Sequence, residues 1–261
     1  EAREDQSGYS VSLSNNGNIV AIGAIENDGT LSNAGHVKIY QRNESATPLG
    51  WTQLGGDIDG EGANDYSGHS VSLSSNGSIV AIGAINNDGG GLDSGHVRIY
   101  QRNESATLGW TKIGGDINGD EGDESGHSVS LSLDGSIVAI GAPYNNDKAG
   151  HVRIYQRNAQ NTSIAPIGWT QLGGDIGGEV ADDYSGYSVS LSSNGHIVAI
   201  GSYNNNNGCV SIYEWTNSIW NKIGQYINGE QINDQFGRSV SLSADGYTVA
   251  IGAINNYGSE D

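Results

Sequence analysis

The sequence predicts an all-β fold, a β-propeller of four-stranded antiparallel blades. Three observations predict it: a phrase that returns along the chain, a strand-like hydrophobic pattern in each copy, and abundant glycine without proline. The phrase Ser7-Gly8-Tyr9-Ser10-Val11-Ser12-Leu13-Ser14 returns around Gly68, Gly126, Gly186 and Gly237, at spacings of 60, 58, 60 and 51 residues. Self-similarity at such a period marks a repeat architecture. Of 261 residues 41 are Gly and 3 are Pro, and no three-residue period runs through them, which excludes collagen and Pro-rich disorder.

Each repeat holds four segments, taken here in chain order. In the first, Val11 and Leu13 alternate with Ser10, Ser12 and Ser14, the period of two of a β-strand. An Asn-Gly or Asp-Gly pair such as Asn16-Gly17 follows, the backbone signal of a two-residue hairpin. The second segment, Ile19 to Ala24, is apolar on both faces and reads as a strand buried between layers, its Ala and Gly admitting neighbouring sheets closely. The third, Gly35 to Tyr40, alternates again, and the fourth carries Trp51, Trp110, Trp169 or Trp220 among polar residues. Burial is therefore expected to fall outward from first strand to fourth. Four strands per unit of about 58 residues, with no convincing helix, fit propeller blades better than a sandwich or solenoid. The repeats run at about 1–60, 61–118, 119–178 and 179–229, with a partial one at 230–261, in a single domain or fragment. Five blades with the last incomplete is the favoured count; an arc of a larger, seven-bladed ring is the alternative.

The phrases Phe236-Gly237-Arg238-Ser239-Val240, Ile140-Gly141-Ala142-Pro143 and Gly95-His96-Val97-Arg98-Ile99-Tyr100 resemble FG-GAP repeats. These occur in integrin α-subunit propellers and in secreted bacterial and algal proteins. The resemblance covers the whole chain and implies the propeller fold, with adhesion, ligand binding or attachment to enzymes as family roles. Two features depart from the family: Ser7, Ser67, Ser125 and Ser185 stand where the motif has Phe. Turns such as Ser74-Ser75-Asn76-Gly77 replace the calcium loop between first and second strands, so the integrin calcium sites do not transfer.

Charge narrows the partners. Eleven Lys and Arg against 30 Asp and Glu give a net charge of -19, which repels phosphate backbones and excludes nucleic acid. No apolar run reaches membrane-spanning length, and Cys209, the one cysteine, leaves no internal disulfide. Without an initiator Met the chain reads as processed or partial. The strong acidity fits a secreted or cation-binding protein, placed outside the cell or at its surface.

In an antiparallel meander, the connections between blades share a rim with those between second and third strands. This predicts an acidic rim bearing Asp57 to Asp65. Oxygen ligands at Asp57, Asp59, Glu61 and Asp65, with Gly62 at the sixth position, resemble the start of a calcium loop. A second copy, Asp116, Asn118, Asp120 and Glu124, keeps the spacing but puts Glu121 at the turn; the third and fourth copies are depleted. The plainer reading is that Asp5, Asp65, Asp123, Asp183 and Asp234 cap the turn into each first strand. His36, His96 and His151 occupy one slot in successive blades, and His69 and His127 another. Rotation about the ring is expected to hold such equivalents apart, so no joint zinc site is expected unless a slot faces the channel. Sequons stand at Asn43, Asn76, Asn103 and Asn161, three of them between third and fourth strands.

No Gly-x-Ser-x-Gly elbow or phosphate-cradling loop appears, and the chain reads as no enzyme. The expected function is a non-enzymatic extracellular adhesion, recognition or scaffold module, calcium-stabilised at its acidic rim, with a protein or glycan ligand or copies of itself as partners. The alternatives are a structural repeat in a homo- or hetero-assembly, and an accessory propeller of a larger secreted enzyme.

Overall fold

The computed structural model describes residues 4–29, 31–43, 45, 50–103, 109–158, 166, 168–205 and 207–256. The expected blades are present. The first sheet holds β1 (Ser7–Leu13), β2 (Ile19–Ala24), β3 (His36–Asn43), β4 (Gly50–Gln53) and β5 (Ile58–Asp59); the second, β6 (Ser67–Leu73), β7 (Ile79–Ala84), β8 (His96–Asn103), β9 (Gly109–Lys112) and β10 (Ile117–Asn118). The third comprises β11 (Ser128–Leu131), β12 (Ile137–Ala142), β13 (His151–Arg157), β14 (Trp169–Gln171) and β15 (Ile176–Gly177), with a tight turn over Asn145–Lys148 after β12 in which Asn146, Asp147 and Lys148 take positive φ. The fourth holds β16 (Ser185–Leu191), β17 (Ile197–Ser202), β18 (Cys209–Thr216) and β19 (Ile219–Asn228), and the fifth only β20 (Phe236–Leu242) and β21 (Val249–Ala253). All pairings between these strands are antiparallel. The chain is a β-propeller of five blades, the last incomplete.

Three local expectations are corrected. Asn15 to Asn18 make a longer turn than a two-residue hairpin, because Ser14 N–H bonds to the Ile19 carbonyl at 2.9 Å and Asn16 Oδ1 accepts from Ser14 Oγ and the Asn18 N–H. The fourth strand is broken in the first three blades, into β4 and β5, β9 and β10, β14 and β15, while β19 runs unbroken. Burial does not fall outward from the first strand. The second strand is the core: β7, β12 and β17 are buried at every residue, whereas the first strand turns part of its surface to the axis.

Blades join through a seam the sequence implies by its small residues. The Gly23 Cα lies under the Gly68 carbonyl, so an added Cβ would come within 2.2 Å of that oxygen. Ser10 Oγ donates to the same carbonyl at 2.6 Å. The pattern returns at Gly83 and Ser70 on Gly126, at Gly141 and Ser128 on Gly186, and at Gly201 and Ser188 on Gly237. Ser12, Ser72, Ser130 and Ser190 accept from the backbone N–H of Leu73, Leu131, Leu191 and Leu242. Each seam buries the Val and Leu of the following blade's first strand. Val71 and Leu73 are 9% and 8% exposed, but Val11 and Leu13, with no blade before them, are 64% and 59% exposed.

Candidate functional site

The site begins at a backbone feature. Before each first strand a residue adopts a left-handed conformation, Gln6, Tyr66, Glu124, Tyr184 and Gln235 having φ of 51°, 54°, 50°, 55° and 55°. Two residues on, Gly8, Gly68, Gly126, Gly186 and Gly237 have φ between 86° and 93°, a region where L side chains are strained. This double kink delivers the next residue, Tyr9, His69, His127, Tyr187 or Arg238, to the same position in each blade.

Those residues form a ladder. Ring centroids are 5.0 Å apart for Tyr9 and His69, 4.8 Å for His69 and His127, and 4.4 Å for His127 and Tyr187. The Arg238 guanidinium lies 5.0 Å from the Tyr187 ring. The expectation that equivalent slots are held apart is corrected for this one: first strands sit close to the axis, where rotation separates equivalents little. His69 Nδ1 faces the His127 carbonyl at 3.2 Å; a carbonyl only accepts, so Nδ1 carries the proton and Nε2 accepts from the Tyr9 hydroxyl at 3.2 Å. Burial lowers the His69 pKa. Burial and the neighbouring His69 push His127 down to about 3, so both imidazoles are neutral at pH 7.

A second tier widens the ladder into a platform. Tyr144 and Tyr203 leave the ends of β12 and β17 and meet Tyr184 between them, with centroids 5.4 Å and 5.2 Å apart. Tyr203 packs on Tyr187 at 4.4 Å and Tyr144 on His127 at 6.4 Å. All are half-exposed. Lys148 stands 5.7 Å over Tyr184, and Arg238 5.5 Å from Tyr203. Glu124, partly buried, near the Asp93 charge and acting on Tyr144, has its carboxyl pKa pushed up to about 7. Burial, then the Glu124 charge, raises the Tyr144 phenol to about 12. Half-exposed rings stack a flat or ring-shaped ligand, and a carboxyl titrating near neutrality exchanges protons with it.

The eight residues proposed as calcium ligands are distributed differently. Asp57 and Asp59 share a cluster with His36, their ligand atoms within 4.8 Å of one another; Glu61 falls in another with His96 and Asp116. Asp65 is buried in its turn, accepting from the Gly62 N–H and Asn87 Nδ2 at 2.9 Å each. The same arrangement, an Asp accepting from a turn N–H and from an Asn 22 residues on, recurs at Asp123 and Asp234. That is the capping role expected of this slot. Fixed cations already serve much of the rim. Arg98 makes a bidentate pair with Asp116 at 2.8 Å and also meets Glu61. Burial would raise the Asp116 carboxyl, but Arg98 and Lys112 hold it well below its ordinary range. Arg153 pairs with Asp120 at 2.7 Å and with Asp175, Lys38 lies 3.7 Å from Asp57, and Asn118 ends β10 opposite His96. Glu124 stands in the left-handed slot before β11, and its charge acts on Tyr144. Of the sequons, Asn43 and Asn103 end β3 and β8 on the surface, exposed Asn76 accepts from Ser74 and Ser78, and Asn161 lies outside the described residues.

No protein-family model matches the chain, and no curated protein matches it. Solved structures do. A periplasmic gluconolactonase of Pseudomonas aeruginosa superposes with a TM-score of 0.58 at 13% identity, over 93% of this chain and 64% of that one. A protein given as a candidate 6-phosphogluconolactonase, from Bacteroides uniformis, does so at 0.58 and 13%, over 93% and 57%. A chain of the COPII outer coat vertex on membranes gives 0.57 and 13%, over 94% and 57%. The chain thus spans 57% to 64% of the length of these structures. At such identities they show the fold alone, a β-propeller, and not the FG-GAP type. The expectation of a non-enzymatic extracellular adhesion, recognition or scaffold module is overturned: it rested on the fold, and the fold is shared with proteins named as lactonases. Its two alternatives gain no support. Among the described residues no helix is long and apolar enough to cross a membrane.

Proposed function

We propose that the axial platform binds a sugar-sized ring and hydrolyses an ester within it, a lactone being the substrate class to test first. The observation that carries this reading is the stack of rings Tyr144, His127, Tyr187 and Tyr203, supported by Glu124, whose charge acts on Tyr144 and whose carboxyl pKa is pushed up to about 7. The lactonase names borne by structures of this fold favour that choice of ester. In the proposed step Glu124 takes a proton from water as the water oxygen bonds to the lactone carbonyl carbon; the ring C–O bond breaks, the ring oxygen takes that proton back from Glu124, and a hydroxy acid leaves. The test is acid release from δ-gluconolactone above its spontaneous hydrolysis. Acceleration by the protein, lost in Glu124→Gln, supports the step; no acceleration at any pH between 5 and 8 removes it.

Finer assignments are proposals of the same kind. The FG-GAP type is supported by Phe236-Gly237 opening a first strand and by Gly141 and Gly201 closing seams. One domain spanning the five sheets is supported by the seams between them. A secreted location and N-glycans at Asn43 and Asn103 are supported by the exposure of both side chains, and a mass shift after glycosidase treatment tests them. Calcium is proposed at Asp57 and Asp59 alone, where His36 completes the cluster. For a protein partner, the face of the first blade on which Val11 and Leu13 are exposed suits a blade edge such as that of a second copy, since the same face in the later described blades lies on a preceding blade.

A further inference from the structure

We infer that the axial platform selects an anionic ligand and seats its carboxylate or phosphate on Arg238. This rests on reading the platform as a ring-binding site. In a chain of net charge -19, several of the described cations meet carboxylates: Arg98 meets Glu61 and Asp116, Arg153 meets Asp120 and Asp175, and Lys38, Lys112 and Lys222 meet Asp57, Asp116 and Glu179.

Arg238 is held otherwise. It is half-buried at the axis, its Nη1 donates to the neutral Gln235 Oε1 at 3.2 Å, and its guanidinium is 5.0 Å and 5.5 Å from the Tyr187 and Tyr203 rings. Among the described residues it makes no ion pair with a carboxylate. A guanidinium has five N–H donors in a rigid fork matched to carboxylate and phosphate, and the flanking rings fix it by cation–π attraction without consuming those donors. Lys148, over Tyr184, adds a second positive charge on that side of the platform. Glu124, whose charge acts on Tyr144, and Asp93, whose charge acts on Glu124, put negative charge near Tyr144. A bound anion is therefore drawn to Arg238 and driven from Glu124, which orients the ligand: its charged substituent at Arg238, the rest of the ring across Tyr203 and Tyr184 toward Tyr144.

Titration calorimetry with glucose, gluconate and glucose 6-phosphate tests this. Wild-type protein is expected to bind the two anions about tenfold more tightly than glucose, the scale of one charge-assisted fork. Arg238→Gln should collapse that ratio toward one, Arg238→Lys should restore part of it, and the melting curves of both variants establish that they are folded. Equal affinities in the wild type, or a ratio unchanged in folded Arg238→Gln, overturns the selectivity while leaving the ring site standing. Binding of none of the three removes the ring site and this inference with it.

Discussion

Replacing Gly141 by Ala should break the seam between the third and fourth blades. The new Cβ would come within 1.9 Å of the Gly186 carbonyl oxygen and 2.4 Å of Ser128 Oγ. One neighbour is backbone in a strand and the other is the hydroxyl that donates to the same carbonyl at 2.8 Å, so neither yields without cost. Overpacking a tight interior costs about 1–3 kcal/mol, and a contact with backbone on both sides of a hydrogen bond belongs near about 3 kcal/mol by that rule. For a chain of this size that lowers Tm by roughly 6–12 °C. Gly174 is the matched control: an added Cβ meets nothing within 4 Å, so Gly174→Ala should be neutral or stabilise by about 0.4–1 kcal/mol through the unfolded chain. Circular dichroism melts of the two variants beside the wild type decide it. If Gly141→Ala melts with the wild type, the blades do not pack glycine against carbonyl and the seam is misdrawn.

The axial groups give opposite pH limbs. Glu124 holds its proton more tightly folded than unfolded, so stability should fall as pH rises from 4.5 to about 7; Glu124→Gln should flatten that limb in denaturant melts. His127 resists protonation when folded, so stability should fall as pH drops from 6.5 toward about 3. His127→Tyr, the residue of the next blade's slot, should flatten that limb instead. Removing the cap in Asp123→Ala would leave the Asp120 N–H and Asn145 Nδ2, bonded now at 3.0 Å and 2.8 Å, without an acceptor; about 2–5 kcal/mol should be lost in urea unfolding, and a loss under 1 kcal/mol would refute the capping role. Millimolar calcium against chelator should raise the melting midpoint by a few degrees at most, and Asp57→Asn should abolish the rise; an identical rise in that variant would place the ion elsewhere. Sedimentation across a range of concentrations should show association that Leu13→Asp suppresses; a single species in both would dismiss the end-face contact.

The repeats, strands and acidic rim were legible because each is written locally: alternation of Val11 and Leu13 with serine, the apolar run Ile19 to Ala24, Asn-Gly at the turns. The capping aspartates were legible for the same reason. The axial platform was not. Tyr9, His69, His127, Tyr187 and Arg238 come from different repeats, and only the radius of the innermost strands decides whether such equivalents touch. The ligand-like spacing of Asp116 to Glu124 does not display that Glu124 takes a left-handed backbone and that its charge acts on Tyr144. Nor did the apolar second strand announce itself as the deepest: it is flanked by blades on both sides, which a single repeat does not display.

The seams have a mechanical side. Asn15, Ser75, Leu133 and Ser193 each pass a backbone N–H to the carbonyl of Ser75, Leu133, Ser193 and Ala244, one rung per repeat, so each described blade is tied to the next. Tension applied between the chain's two ends would load these rungs one after another and not all together. The molecule would lengthen in steps, each releasing one repeat of about 58 residues, roughly 200 Å of extended polypeptide, and the parts still folded would keep their shape between steps.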